Sequence, residues 1–200
     1  MAEAPWRELA EHDPLLGSLI ERLGPLDPPQ PREPFIALAR SIVGQQLSMQ
    51  AASTIWLRLN LGGPLTPQRL ASASDEELRA AGASRPKIGY LRDLAVRVLD
   101  GRLDLARLPS LPDDEVVGEL VQVRGIGRWS AEMFLVFALG RPDVLALDDV
   151  GLQRAAGWLL GLGRNATPPE LAEAGERWRP YRSLASMYLW KAIAEGLARQ

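Results

Sequence analysis

Cysteine is absent from this 200-residue chain and histidine occurs once, at position 12. The first absence excludes disulfides, iron–sulfur clusters and thiolate zinc sites, and the second leaves no group of imidazoles to build a metal site. His12, in Glu11-His12-Asp13-Pro14, reads as a solvated residue ahead of a helix. No apolar run approaches the roughly 20 residues of a membrane span. The start Met1-Ala2-Glu3-Ala4-Pro5-Trp6-Arg7 has no signal-peptide pattern, so a cytoplasmic protein with no membrane partner is expected. A basic excess is missing too, for the net charge is −2. The charge is unevenly placed: residues 121–200 hold ten Lys/Arg against eight Asp/Glu, and residues 1–120 thirteen against seventeen. A polyanion would therefore be held by main-chain amides and a few arginines more than by a basic field.

Convincing strand alternation is also lacking. Almost every segment repeats apolar residues at helical spacing, which predicts an all-α fold, and 46% apolar composition suffices for a core without covalent staples. Asp13-Pro14 supplies an N-cap and a first-turn proline ahead of Leu15, Leu16, Leu19, Ile20 and Leu23, with Gly24 as the stop. Five prolines make 24–34 a loop. Phe35, Ile36, Leu38, Ala39, Ile42 and Val43 form the next apolar face, and Ser48 caps a helix with Ala51, Ala52, Ile55, Trp56 and Leu59 inward. Thr66-Pro67 opens a short helical turn, and Ser74 with Glu77 makes a capping box. A longer helix after Ser84 turns Ile88, Leu91, Leu94, Ala95 and Val98 inward. After the apolar stretch 144–147, Asp148 or Asp149 caps a helix through Leu152, Ala155, Ala156 and Leu159. Thr167 and Glu170 form a second capping box, and a last helix with Pro180 in its first turn runs to the C-terminus. The expected architecture is one helical domain over 1–200. Its two lobes are 34–110 and 1–33 with 111–200, and the cleft between them is the natural place for a site.

Two stretches could carry chemistry. In 120–131, helical patterns on either side meet across a turn short enough only for a hairpin. Gly125 and Gly127 flank Ile126, so either glycine can take positive φ while Ile126 plugs the core. The first amides of the following helix have no partner within it, and a phosphate could approach them closely past two missing side chains. The plainer alternative is a hairpin that uses glycine only to reverse direction. With thiolates and imidazoles gone, a catalyst must come from carboxylates, Lys, Ser or Tyr. Asp148-Asp149 is the preferred pair, since it follows an apolar stretch and stands at a helix N-terminus, whose partial positive charge favours an anion. A simple cap explains the same pattern.

Leu120, Val123, Gly125, Ile126, Gly127, Trp129, Ser130 and Ala131 together resemble the helix-hairpin-helix of DNA base-excision glycosylases. Further stretches in the same order are Ser41-Ile-Val-Gly-Gln-Gln-Leu-Ser48, Arg85-Pro-Lys-Ile-Gly-Tyr-Leu-Arg92, 143–151, 177–183 and Tyr188-Leu-Trp190. Over roughly 34–190 the chain thus resembles the 3-methyladenine DNA glycosylase II family of the helix-hairpin-helix/Gly-Pro-Asp superfamily. The resemblance implies that Asp149 is the catalytic aspartate in hydrolysis of the N-glycosidic bond of alkylated bases in double-stranded DNA. Trp129, Trp190, Tyr188 and Met133 would line the base pocket, with core packing the alternative for the tryptophans. Gln46 and Leu47 fall in the loop that fills the gap left by a flipped base. Gly125, Ile126, Gly127, Arg128 and Ser130 would meet the DNA backbone.

No cofactor is required by the resemblance, although the carbonyls of Val121, Val123 and Ile126 would hold a structural Na+ or K+. Trp129-Ser130 stand in the region where strand-cutting relatives carry a lysine, which implies a monofunctional enzyme, and a monomer is expected. Three residues depart from the pattern: Leu147 replaces a frequent proline, Met133 an aromatic and Gln46 an apolar wedge. They imply a more open pocket. The rival readings are a non-catalytic DNA-binding hairpin protein, a glycosylase for another lesion, and a helical interaction scaffold.

Overall fold

A computed structural model describes residues 4–198, and every regular element among them is helical. The first two are α1 (Pro5–His12) and α2 (Pro14–Leu23). There follow α3 (Pro34–Gly44), α4 (Met49–Leu59), α5 (Pro67–Ser72), α6 (Asp75–Ala80) and α7 (Arg85–Leu99). A 3₁₀ turn, Leu108–Ser110, leads to α8 (Asp113–Leu120) and α9 (Arg128–Phe137). The chain ends with α10 (Val150–Leu159), α11 (Pro168–Glu176) and α12 (Arg182–Ala194).

The caps read from sequence form as expected. Asp13 Oδ1 accepts the amides of Leu15 and Leu16, Ser48 Oγ accepts Ala51 N, and both capping boxes close. Of the aspartate pair, Asp149 is the cap of α10 and Asp148 is exposed. Helix α1 was not singled out from sequence, although Trp6, Leu9 and Ala10 recur at helical spacing and Leu9 is buried. It is held by close packing on α2, where a Cβ at Gly17 would lie 2.7 Å from Ala10 O. His12 is exposed; it is the last residue of α1 and lies just ahead of α2. The last helix starts after Pro180, with Tyr181 at its N-cap. It stops at Ala194, where Gly196 takes φ +71 and the Leu197 amide bonds back to Ala192 O.

The chain forms two compact units that divide at Gln30/Pro31 and Leu139/Gly140. In the unit Pro31–Leu139, α3 packs on α4, α7 and α9, helices α5 and α6 lie on α7, and α8 pairs with α9. Leu38, Ala39, Ile42, Leu91, Leu94, Val116 and Leu120 are among its buried residues. In the other unit α12 packs on α2 and α10, α1 on α2, and α11 on α10, around Leu16, Ile20, Leu152, Leu171, Trp178 and Leu189. The hairpin helices α8 and α9 therefore belong with residues 31–139, which corrects the expected lobe boundary at 110/111. The reason is the packing of α9 on α3, which periodicity along the chain does not reveal.

Candidate functional site

Asp149 is delivered by the loop 140–149, and α12 pins that loop. Ser183, fully buried, donates to Arg141 O at 2.7 Å and accepts Val144 N at 3.0 Å, while its own amide donates to Pro142 O. Arg179 and Arg182 each grip the Asp143 carboxylate at 2.7 Å. Val144 and Ala146 are buried, and Leu145 lies against Gly175 where a Cβ would collide with it. The loop then closes on itself through Asp149 N to Ala146 O, 3.1 Å. Leu147, where the family resemblance expects proline, has its carbonyl bound by Gln153 Nε2 at 2.8 Å, so a side-chain tie restrains the loop without the proline ring.

Asp149 is 8% exposed, and its Oδ1 accepts Leu152 N at 2.8 Å. Gly151 is the second residue of α10. A Cβ there would lie 2.9 Å from Asp149 Oδ1, 3.5 Å from Ile193 Cδ1 and 3.8 Å from Trp190 Cδ1. The missing side chain at 151 thus leaves room for the carboxylate, and the half-buried Trp190 flanks the same bare stretch of backbone. Tyr188 stands apart from this group. It is fully buried, its hydroxyl accepts Leu26 N at 2.9 Å and donates to Gly24 O at 3.2 Å, and burial raises its phenol above the usual value. The expectation that Tyr188 walls a pocket is corrected: a proline-rich loop needs its amide and carbonyl satisfied, and Tyr188 does this from the core.

Within the unit Pro31–Leu139 the hairpin takes its expected form. Ile126 is 5% exposed and Val123 is buried beside it. Only Gly125 uses positive φ, +83, with the Tyr90 ring lying where a Cβ would be. Gly127 is the extended N-cap of α9, and a Cβ there would meet nothing within 4 Å. The helical ladder starts at Ala131 N to Gly127 O, so the amides of residues 128–130 lie ahead of the helix's own ladder. Trp129 is 48% exposed, and Arg128 pairs with the buried Glu132 at 3.0 Å while most of its side chain stays in solvent. Ser130 is buried and shares with Met133, Arg32, Arg40 and Ser41 the lining of a cavity of about 370 Å³. Ser130 therefore faces this cavity more than an open phosphate-binding surface.

The turn after α3 presents Gln46 and Leu47 to solvent, and Gln46 has the positive φ of +57. Lys87 donates to Val43 O and Gln45 O, both at 2.7 Å, and Gln45 Nε2 donates to Gly125 O at 2.7 Å. Asp93 Oδ2 accepts Arg124 N at 2.9 Å. Gln45, Lys87, Tyr90 and Asp93 were not singled out from sequence. The first three lie in matched stretches, but nothing along the chain says which distant turn each one reaches. Among the described residues no three His, Cys, Asp or Glu side chains gather as a metal site, and no helix is long and apolar enough to cross a membrane.

Fold and site define an all-helical protein with a glycine hairpin and a buried carboxylate at a helix N-terminus. The model for the HhH-GPD superfamily of base excision DNA repair proteins matches residues 39–180. DNA-3-methyladenine glycosylase 1 of Schizosaccharomyces pombe is 32% identical over 195 residues, covering 95% of this chain and 86% of that protein. A crystal structure of DNA-3-methyladenine glycosidase from Bacillus halodurans superposes with TM-score 0.85 at 43% identity, covering 96% of this chain and 92% of that one. The S. pombe 3-methyladenine DNA glycosylase Mag1, in complex with abasic DNA, superposes with TM-score 0.84 at 30% identity, covering 95% and 96%. This chain belongs to the HhH-GPD superfamily of base excision DNA repair proteins.

Proposed function

We propose that the chain is a monofunctional DNA glycosylase that flips alkylated bases of the 3-methyladenine type out of duplex DNA and hydrolyses their N-glycosidic bond. The observation that carries this reading is the buried Asp149 carboxylate, fixed by the Leu152 amide and given room by the missing side chain at Gly151. A base alkylated at a ring nitrogen is cationic and departs readily, and a damaged pair costs less to open. When the bond breaks, its electron pair goes to the base and positive charge develops on the sugar. A fixed anion stabilises that charge. At about 4 Å and an effective dielectric of about 20 the attraction is about 4 kcal/mol, or about a thousandfold in rate. Water then adds to the sugar and its proton passes to the carboxylate or to solvent, leaving free base and an abasic strand.

Trp190 and the exposed Trp129 offer electron-rich rings to a cationic base. The amides beside Gly127, with Arg128, would grip the backbone, and Gln46 or Leu47 would fill the vacated stack. A monovalent cation would rest on the carbonyls of Val121, Val123 and Ile126; Val123 O already accepts Ile126 N and keeps one lone pair for it. The absence of lyase chemistry is supported by the lysines. There are two in the chain: Lys87 is bound to two carbonyls, and Lys191 donates to Leu23 O at 2.9 Å. The enzyme would act as a cytoplasmic monomer associated with DNA.

The test is single-turnover release of base from methylated duplex by the parent and by Asp149→Asn, with strand integrity read in the same sample. Asparagine keeps the cap to Leu152 N, so folding and duplex affinity should hold while release falls about a thousandfold. Strands should break only after alkali. Release by the variant at the parental rate would remove Asp149 from the mechanism, and strand cleavage without alkali would remove the monofunctional assignment.

A further inference from the structure

Helix α7 carries three side chains, three residues apart, that reach two separate turns of its unit. Lys87 holds the carbonyls of Val43 and Gln45 at the end of α3. Tyr90 lays its ring on Gly125. Asp93 accepts the Arg124 amide and is itself held by Arg97 Nε at 2.9 Å. Gln45 closes the set by donating its side-chain amide to Gly125 O. The turn 45–48 and the turn 124–127 are thus both fixed to one helix, and to each other.

Lys87 is the member whose chemistry packing does not require. Its ammonium is partly buried, and its bonds are to carbonyls rather than to a carboxylate, an arrangement that pulls its pKa below the usual 10.5 through desolvation. An apolar side chain would fill the same space without that desolvation. What the ammonium adds is a clamp. It gathers the carbonyls that end α3 and holds the reversal in which Gln46 takes left-handed φ, a conformation disfavoured for any residue with a Cβ.

We infer that Lys87 is a positioning residue for base flipping: by fixing the Gln45 carbonyl it holds the Gln46–Leu47 turn in register with the hairpin, so that a side chain enters the duplex where the hairpin grips the backbone. The inference rests on the wedge and grip roles proposed above. Removal of the clamp frees the wedge turn while Tyr90 and Asp93 still shape the hairpin, so grip and insertion should separate.

The experiment compares parent, Lys87→Met and Lys87→Arg on a duplex with a fluorescent adenine analogue beside an alkylated base. Unstacking is read by fluorescence and base release under single turnover, with thermal melting and affinity for undamaged duplex alongside. Lys87→Met should bind undamaged duplex as the parent does but lose about 10- to 100-fold in unstacking and release, the scale of a misplacement of about an ångström. Lys87→Arg, which again presents donors to both carbonyls, should recover most of the loss. Gln45→Ala should show the same split, and combining it with Lys87→Met should add little, because both act on one tie. Equal unstacking by parent and Lys87→Met overturns the inference. So does a uniform loss of stability, affinity and unstacking that arginine leaves unrescued. A parent that unstacks the analogue yet releases no base would sink the proposed alkylbase activity, and the fluorescence comparison would still decide the role of Lys87.

Discussion

Replacing Gly151 by alanine should slow base excision without unfolding the protein. Gly151 is the second residue of α10, where alanine is ordinarily the better helix former by about 1 kcal/mol. At this position the new methyl group would stand 2.9 Å from Asp149 Oδ1, whereas ordinary contact begins at 3.4 Å. The carboxylate must therefore retreat by about 0.5 Å, and it is already committed to Leu152 N. Ile193 and Trp190, at 3.5 and 3.8 Å, need not move. A reacting group has to be held to within about 0.5 Å, and a misplacement of about 1 Å costs about a hundredfold, so the rate should fall about tenfold. Stability should change by no more than about 1 kcal/mol, because the gain in helix propensity offsets a stretched cap. Single-turnover base release and a thermal melt on the same preparation measure both quantities. A variant that melts like the parent and excises at the parental rate would refute the assignment of Asp149 as the acting carboxylate.

The two hairpin glycines should separate fold from ligand. Gly125→Ala places a Cβ in the Tyr90 ring at φ +83 and should destabilise the protein by about 2 kcal/mol or more in urea unfolding. Gly127→Ala meets only open space and should leave stability within about 0.5 kcal/mol while weakening duplex binding, so unchanged affinity would argue against a phosphate at this N-terminus. Asp13 gives a pH prediction. Burial pushes its carboxyl up, but the Trp178 indole, the Leu16 amide and the Arg177 guanidinium outweigh this and hold it below its usual 3.8. The stabilisation is thus present above about pH 4 and is lost as pH falls through the lowered folded value. Asp13→Asn should be less stable at neutral pH and flatter in acid, and identical acid melting curves would contradict it. Ser183→Ala leaves the buried Val144 amide without its acceptor and should cost about 1–3 kcal/mol, with a slower excision step because the Asp149 loop loosens; normal stability would show that another group replaces the hydroxyl.

Local physics was legible in the sequence. Asp13, Ser48, Ser74, Asp149 and Thr167 cap helices because a short polar side chain before an apolar repeat has one favourable use, satisfaction of the first free amides. The Ile126 plug and the turn at Gly125 follow from glycine spacing in the same way, and ordered motifs from Ser41 to Trp190 pointed to the family. Long-range geometry was not legible. That Gly151 leaves room for the Asp149 carboxylate beside Trp190, that Tyr188 turns inward to satisfy a loop 162 residues away, and that α9 packs on α3 all depend on which surfaces meet. Lys87 shows the division most plainly: its place in a motif could be read from the chain, but its two carbonyl partners lie 44 and 42 residues away, and only tertiary packing brings an ammonium to them.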